Sequence, residues 1–172
     1  INPFQILAVD MIGEMWPLTA LTRDPAQKNL MKESPRNPND HIINKPVIWD
    51  LLFSGILMWG IAFSNYLIYL FTNGFTLATF SADTFHYPIA TSITYTSLMF
   101  CQFANIFSRR AWMGSIFTPY IRANKRLFLT IAIALGLIMT LVYAPVVHEY
   151  FAFWPMDFKD WLFPLIGWLL FL

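Results

Sequence analysis

Apolar residues along this chain come in blocks, and the polar ones gather between them. The interior blocks run from Val47 to Phe71, Pro88 to Ser108 and Leu127 to Val147; two more, Ile1 to Thr22 and Trp161 to Leu172, sit at the ends. An α-helix rises about 1.5 Å per residue, so roughly 20 apolar residues cross the ~30 Å hydrocarbon core of a bilayer. The interior blocks meet that length with a single charge among them, Asp50, near the start of the first. The pattern predicts an all-α membrane protein, a bundle of about five transmembrane helices spanning about 1–22, 47–71, 88–108, 127–147 and 161–172. The last block is too short for a crossing and the first residue is not Met, so the chain reads as a piece of a longer protein. No basic region precedes the first block, which argues against a signal peptide.

Charge sharpens this picture. Only 12% of the 172 residues are charged, against about 25% in an ordinary soluble domain. The net charge of +1 gives no basic field for nucleic acid. The lone cysteine, Cys101, rules out an internal disulfide. Arg23, Lys28, Lys32, Arg36 and Lys45 fall in the first interblock loop, and Arg109, Arg110, Arg122, Lys125 and Arg126 in the third. The second loop has none and the fourth only Lys159. Basic residues in alternate loops are what helices crossing back and forth produce, and the basic side is expected to be cytoplasmic. Trp49, Trp112, Trp154, Trp161, Tyr87 and Tyr150 fall near the expected interfaces, where amphipathic rings are favoured.

The first block carries the candidate chemistry. Asp10 and Glu14 at mid-span cost about 5–7 kcal/mol on an insertion scale. The block's Leu, Ile, Val and Phe residues return only roughly 2.4–4.8 kcal/mol on that scale. Such a helix needs neighbours or a bound cation, and intramembrane acids point to function. Positions i and i+4 share a helical face, so both carboxylates can address one site. Pro17 has no N–H for the carbonyl four residues back, that of Gly13, and glycine eases local unwinding. The first helix is therefore expected to be interrupted near Gly13 and Pro17, with the Gly13 carbonyl as a further oxygen ligand. Acids and a carbonyl make a hard site suited to a small cation or a proton. The alternative is that the acids pair with basic residues elsewhere and serve only assembly. Gln102 and Asn105, three apart in the uncharged third block, also share a face; by residue type they read as helix glue before ligands. His41, His86 and His148 read as solvated.

At Pro3-Phe4-Gln5-Ile6-Leu7-Ala8-Val9-Asp10-Met11-Ile12-Gly13-Glu14-Met15-Trp16-Pro17, continuing at Met31-Lys32-Glu33-Ser34-Pro35-Arg36-Asn37-Pro38, the sequence resembles the type II P-type cation-transporting ATPases. The resemblance runs from their sixth transmembrane helix to part of the tenth. It implies a sixth helix unwound at mid-membrane, with Asp10 at one cation-ligand position and Glu14 at another where Asp is usual. Gly13 stands where Thr is usual, which shifts weight to its backbone carbonyl. Gln102 matches the eighth-helix ligand position, and Asn105 a neighbouring one. The loop bearing Arg36 is implied to touch the phosphorylation domain.

The resemblance makes a transported cation the substrate and assigns Mg2+ and ATP to the full-length protein alone. The Asp-Lys-Thr-Gly-Thr phosphorylation loop, the nucleotide-binding and actuator domains and the N-terminal membrane helices are absent from these residues, so this piece has no means of hydrolysing ATP. The short loop between Thr72 and Tyr87 lacks the segment by which sodium/potassium pumps hold a beta subunit, and no such partner is expected. The expected setting is the lipid bilayer of a plasma or inner membrane. Rival readings are a proton- or sodium-coupled secondary transporter and a membrane assembly subunit with no transport role.

Overall fold

The computed structural model describes residues 3–24, 43–76, 85–110 and 124–172, and every regular element among them is helical. The first block is three pieces: α1 (Pro3–Ala8), a π-helical segment (Val9–Met15) and α2 (Trp16–Leu21). Then follow α3 (Lys45–Thr72), α4 (His86–Arg110), α5 (Lys125–Tyr143), α6 (Pro145–Phe151) and α7 (Leu162–Phe171). The first helix is thus interrupted around Gly13, just before Pro17, as the sequence predicts.

Local chemistry sets the helix ends. Asn44 and Asn124 each precede a Lys at the first helical position, and each side chain accepts the backbone N–H three residues on, from Val47 and Leu127, both at 3.1 Å. Arg109 and Arg110 occupy the last turn of α4, where the helix dipole favours cations. α5 stops at Tyr143, short of the expected Val147. Pro145 offers no N–H to the carbonyl of Leu141 and holds Ala144 extended, at φ −73° and ψ 120°. α6 closes on Ala152, whose φ of 52° is in the left-handed region where glycine is the usual choice.

α4 lies at the centre. α3 and α7 pack on one side of it, and the π-helical segment and α5 on the other. Its buried residues include Ile93, Tyr95, Met99, Cys101 and Ala104, together with Ser92, Thr96 and Ser97. Hydroxyls buried in this way must find partners, and several take backbone carbonyls of their own helix: Thr91 and Ser92 donate to Pro88 O, and Thr96 to Ser92 O. α3 shows the opposite character. It is about 42 Å long by the helical rise, and its outer residues Trp49, Phe53, Ile56 and Trp59 are exposed. Apolar residues outside and hydroxyls inside suit lipid and would drive aggregation in water. Among the described helices, α3 and α5 are each long and apolar enough to cross a bilayer. The structure is an all-α membrane bundle.

The polar ends are sorted as well. Arg110 contacts Asp24, Arg109 contacts Asp50, and Asn124 contacts Asp24. These contacts bring the end of α2, the start of α3, the end of α4 and the start of α5 together. Arg23, Lys45, Arg109, Arg110, Lys125 and Arg126 therefore lie toward one end of the bundle, and Lys159 belongs to the connection at the other.

Candidate functional site

The first helix buries Gln5, Ala8, Gly13, Pro17 and Ala20. The steps between them are those of an α-helix except for the one from Ala8 to Gly13, which is a residue longer. That step falls in the π-helical segment, whose i→i+5 bonding accommodates an extra residue while both ends keep the same face inward. Two residues favour the segment at this point. Pro17 cannot donate to the turn before it, and Gly13 has no side chain to obstruct a wider turn. The register also changes which carbonyl Pro17 deprives. In an α-helix it is that of Gly13, and in the π-helix it is that of Ile12.

Gly13 also packs tightly against α4. A Cβ there would lie 2.6 Å from Gln102 Oε1 and 2.6 Å from Met99 Sδ, so only glycine leaves room for both side chains as they stand. This approach brings Gln102 within reach of the neighbouring acid, and its Nε2 donates to Glu14 Oε1 at 2.9 Å. The other amide atom, Gln102 Oε1, is buried without a hydrogen-bond partner among the described residues. A lone buried acceptor is costly, so a group that would take its lone pairs gains by binding here.

Asp10 and Glu14 both lie on the side of the helix that the described elements leave open, and Asp10 makes no side-chain bond or ion pair among the described residues. The residues around them on that side are Ile6, Leu7, Met11, Met15, Trp16 and Leu18, all exposed. Acids set in so apolar a face do not belong to a water-facing surface. Four residues fall just short of a π-helical turn, where they slightly exceed an α-helical one, so the two carboxylates still share a face. Among the described residues no group of three His, Cys, Asp or Glu gathers to hold a metal. Two carboxylates, an amide and freed backbone carbonyls make only part of the shell of six or more oxygens that a hard cation such as Ca2+ takes.

Asn105 is not brought to this cluster. Its Oδ1 accepts from Arg109 Nε at 3.2 Å, and Arg109 reaches on to Ser54 Oγ at 3.0 Å and to Asp50. Asn105 thus belongs to a polar group between α3 and α4 at the basic end. Arg36 and His41 lie outside the described residues. His86 is not simply solvated: it is half-buried, its Nδ1 is 3.2 Å from the Tyr69 hydroxyl, and Phe75 and Phe85 approach its ring edge-on. His148 likewise has a buried Nδ1.

Two features escape the sequence reading. Met99 fills the space opposite Gly13. Asp24, just beyond α2, holds Arg110 at 2.7 Å and Asn124 at 2.5 Å. The signal for the second was present in the sequence: an acid directly after an apolar block, and an Asn-Lys start to a later one.

The sequence model of the family described as "Cation transporting ATPase, C-terminus" matches residues 1–172. Curated relatives point the same way. The chain is 28% identical over 171 residues to calcium-transporting ATPase 1 of Bacillus cereus, covering 96% of this chain and 19% of the relative. It is 24% identical over 187 residues to potassium-transporting ATPase alpha chain 1 of Xenopus laevis, covering 93% and 18%. It is 27% identical over 168 residues to calcium-transporting ATPase type 2C member 1 of Pongo abelii, covering 96% and 17%. The chain spans about a fifth of the length of these relatives.

Proposed function

We propose, for a chain that belongs to the family of cation-transporting ATPase C-termini, that it is the membrane part of an ATP-driven cation pump and supplies one wall of the transport site. Asp10, Glu14 and Gln102 are its side-chain ligands, and the backbone carbonyls of Gly13 and Ile12, the two that Pro17 deprives in one register or the other, complete the oxygens from this wall. Asn105 contributes at a distance, by holding Arg109. The remaining ligands come from the rest of the protein, against the open face of the first helix. The observation that carries this reading is the 2.9 Å contact of Gln102 with Glu14 beside the π-helical segment.

The chemistry follows from the donor set. In the absence of an ion, the amide N–H2 of Gln102 satisfies one carboxylate oxygen of Glu14 and holds it toward α4. A cation competes for that oxygen and offers Gln102 Oε1 a partner if the amide turns over. ATP and Mg2+ act in the domains outside this chain, and phosphorylation there would open the site first to one side and then to the other. The loop bearing Arg36 is the contact for that signal. The basic end faces the cytoplasm, by the excess of Lys and Arg there, and the pump resides in a plasma or inner membrane. It works without a beta-type subunit, since the connection from α3 to α4 is short. Calcium and potassium are the cations in the relatives' names, and each is an arm of the test.

The test is ATP hydrolysis by the full-length protein in lipid vesicles, titrated separately with CaCl2, NaCl and KCl. Glu14→Gln is expected to raise the half-saturating concentration of the activating cation by about tenfold or more, with Asp10→Asn acting in the same direction. Unchanged affinity and turnover in both variants would remove these acids from the transport site.

A further inference from the structure

The first helix is pinned at three heights. Toward one end, Gln5 Nε2 donates to the carbonyl of Ala152 at 3.1 Å, and Gln5 is buried. At the middle, Gly13 lies against Met99 and Gln102. At the basic end, Asp24 takes Arg110 Nε on one carboxylate oxygen at 2.7 Å and Asn124 Nδ2 on the other at 2.5 Å. The same Asn124 nitrogen reaches the carbonyl of Ala20 at 3.0 Å, which satisfies an orphan acceptor at the end of α2. Asn124 Oδ1 meanwhile caps α5 through Leu127 N. This end cluster is withdrawn from solvent: the Arg110 side chain is 4% exposed and that of Asp24 19%.

The extra residue of the π-helical segment has to be held in place. π-Helical turns are rare and cluster at functional sites, and this one has no donor at Pro17 to close it. If the basic end were free, the segment could relax to α-helix by passing its extra residue toward Asp24. The residues beyond the extra one, Glu14 among them, would then turn by about 100°, one α-helical step, carrying Glu14 away from Gln102. Fixing Asp24 prevents that rotation. We propose that Asp24, Arg110 and Asn124 form a positioning lock that keeps the first helix in its π register and so sets Glu14 against Gln102. None of the three touches an ion; each acts through α2 on cation affinity. Asp24 also stands between the site and the loop bearing Arg36 along the chain, so a signal arriving from that loop meets the lock before it meets the site. The proposal rests on the reading of Glu14 as a cation ligand.

The experiment uses the full-length ATPase in lipid vesicles, with two readouts. One is hydrolysis titrated with CaCl2, NaCl and KCl in turn; the other is hydrogen exchange of the backbone amides from Gly13 to Leu21. Asn124→Ser is the discriminating variant, because serine still caps α5 but has no amide to reach Asp24 or Ala20. Asp24→Asn is the second. In both, affinity for the activating cation is expected to fall about tenfold with maximal turnover kept within about twofold, while exchange between Gly13 and Leu21 quickens. Arg110→Lys, which keeps the charge, is expected to lose less affinity than Arg110→Gln. Unchanged affinity or unchanged exchange in Asn124→Ser overturns the lock, as does a joint fall of affinity, turnover and protein yield in every variant. Glu14→Gln run alongside separates the two ideas. If it leaves affinity untouched, the ion-site reading fails, and the exchange readout still judges whether the register is held from Asp24.

Discussion

Both sides of α4 meet a neighbouring helix through an amide and a glycine, and they use them differently. Toward α3 and α7, Asn65 Nδ2 donates to Ser97 Oγ at 2.8 Å and to the carbonyl of Phe163 at 3.0 Å, and Cys101 Sγ lies 3.8 Å from the carbonyl of Gly167. Toward the first helix, Gln102 donates to Glu14 while its Oε1 finds no partner among the described residues, and the acid it holds lies on a face that those residues leave open. One side is a closed polar network of the kind that fastens helices in lipid; the other is a network with open ends. Adjacent residues of one helix, Cys101 and Gln102, belong to the two sides. The difference teaches that a polar group inside a membrane bundle becomes a site candidate through what is left unsatisfied around it, more than through its polarity.

The largest expected effects come from giving each glycine a methyl group. At Gly167 a Cβ would meet Ile61 Cγ2 at 2.8 Å, a stiff β-branched side chain on α3, with Asn65 Nδ2 at 3.4 Å behind it. Gly167→Ala is expected to cost about 1–3 kcal/mol of stability by overpacking, with cation affinity preserved. At Gly13 the obstacles are the far ends of Gln102 and Met99, which swing aside more easily. Gly13→Ala should therefore cost less stability, yet move Gln102 off Glu14 and weaken cation activation. Thermal unfolding of the purified full-length protein and its cation titration check both halves. Equal losses of stability with equal affinities would erase the distinction between the two sides.

A somewhat smaller contrast is expected from paired amide-to-leucine changes. Asn65→Leu removes two interhelical bonds and strands a hydroxyl and a carbonyl, for about 1–2 kcal/mol of stability at bilayer depth. Gln102→Leu removes one bond together with an acceptor that has no partner among the described residues. Its stability should barely change, while affinity for the activating cation falls about tenfold, roughly 1.4 kcal/mol. The comparison breaks if Gln102→Leu destabilises as much as Asn65→Leu.

The sequence made much of this legible, for identifiable reasons. Uninterrupted apolar blocks fixed where α3, α4 and α5 run, since a bilayer rewards length and penalises charge. Asp10 and Glu14 were conspicuous as acids inside such a block, and Pro17 and Gly13 marked where the helix would be interrupted. The type of interruption was not legible, because π and α registers differ by one residue and only the neighbouring helix decides between them. Asn105 read as helix glue by residue type and as a neighbour of a ligand position only through the resemblance; its partner here, Arg109, lies one helical turn further on, and long side chains make such pairings hard to read in advance. The Asp24 cluster was harder to assemble from its signals because its members stand at the ends of three different helices. Pro145 was visible, and its effect on α5 was underestimated by reading the apolar run through it to Val147.

The smallest effect is expected where the closed side of α4 reaches water. Asp160, in the connection before α7, accepts the backbone N–H of Asp157 at 3.0 Å and donates its own N–H to Asp157 O at 2.9 Å. Burial pushes its pKa upward, and the charge of Asp157 adds to this; the backbone N–H of Asp157 and the nearby His86 pull the other way without cancelling it. A carboxyl harder to ionise in the folded state than in the unfolded one imposes no penalty at pH values below its unfolded range. The penalty grows as pH rises through the elevated folded value. Asp160→Asn, which keeps an acceptor for Asp157 N–H, should therefore leave stability unchanged at the acid end and raise it slightly at neutral pH. The difference should widen as pH rises from the unfolded range of Asp160 through its elevated folded value. Thermal midpoints of the full-length protein and the variant, measured across that range, check the sign. A variant less stable at neutral pH would mean that the charge of Asp160 is needed there, and the closed side would then depend on an electrostatic contact that its hydrogen bonds do not reveal.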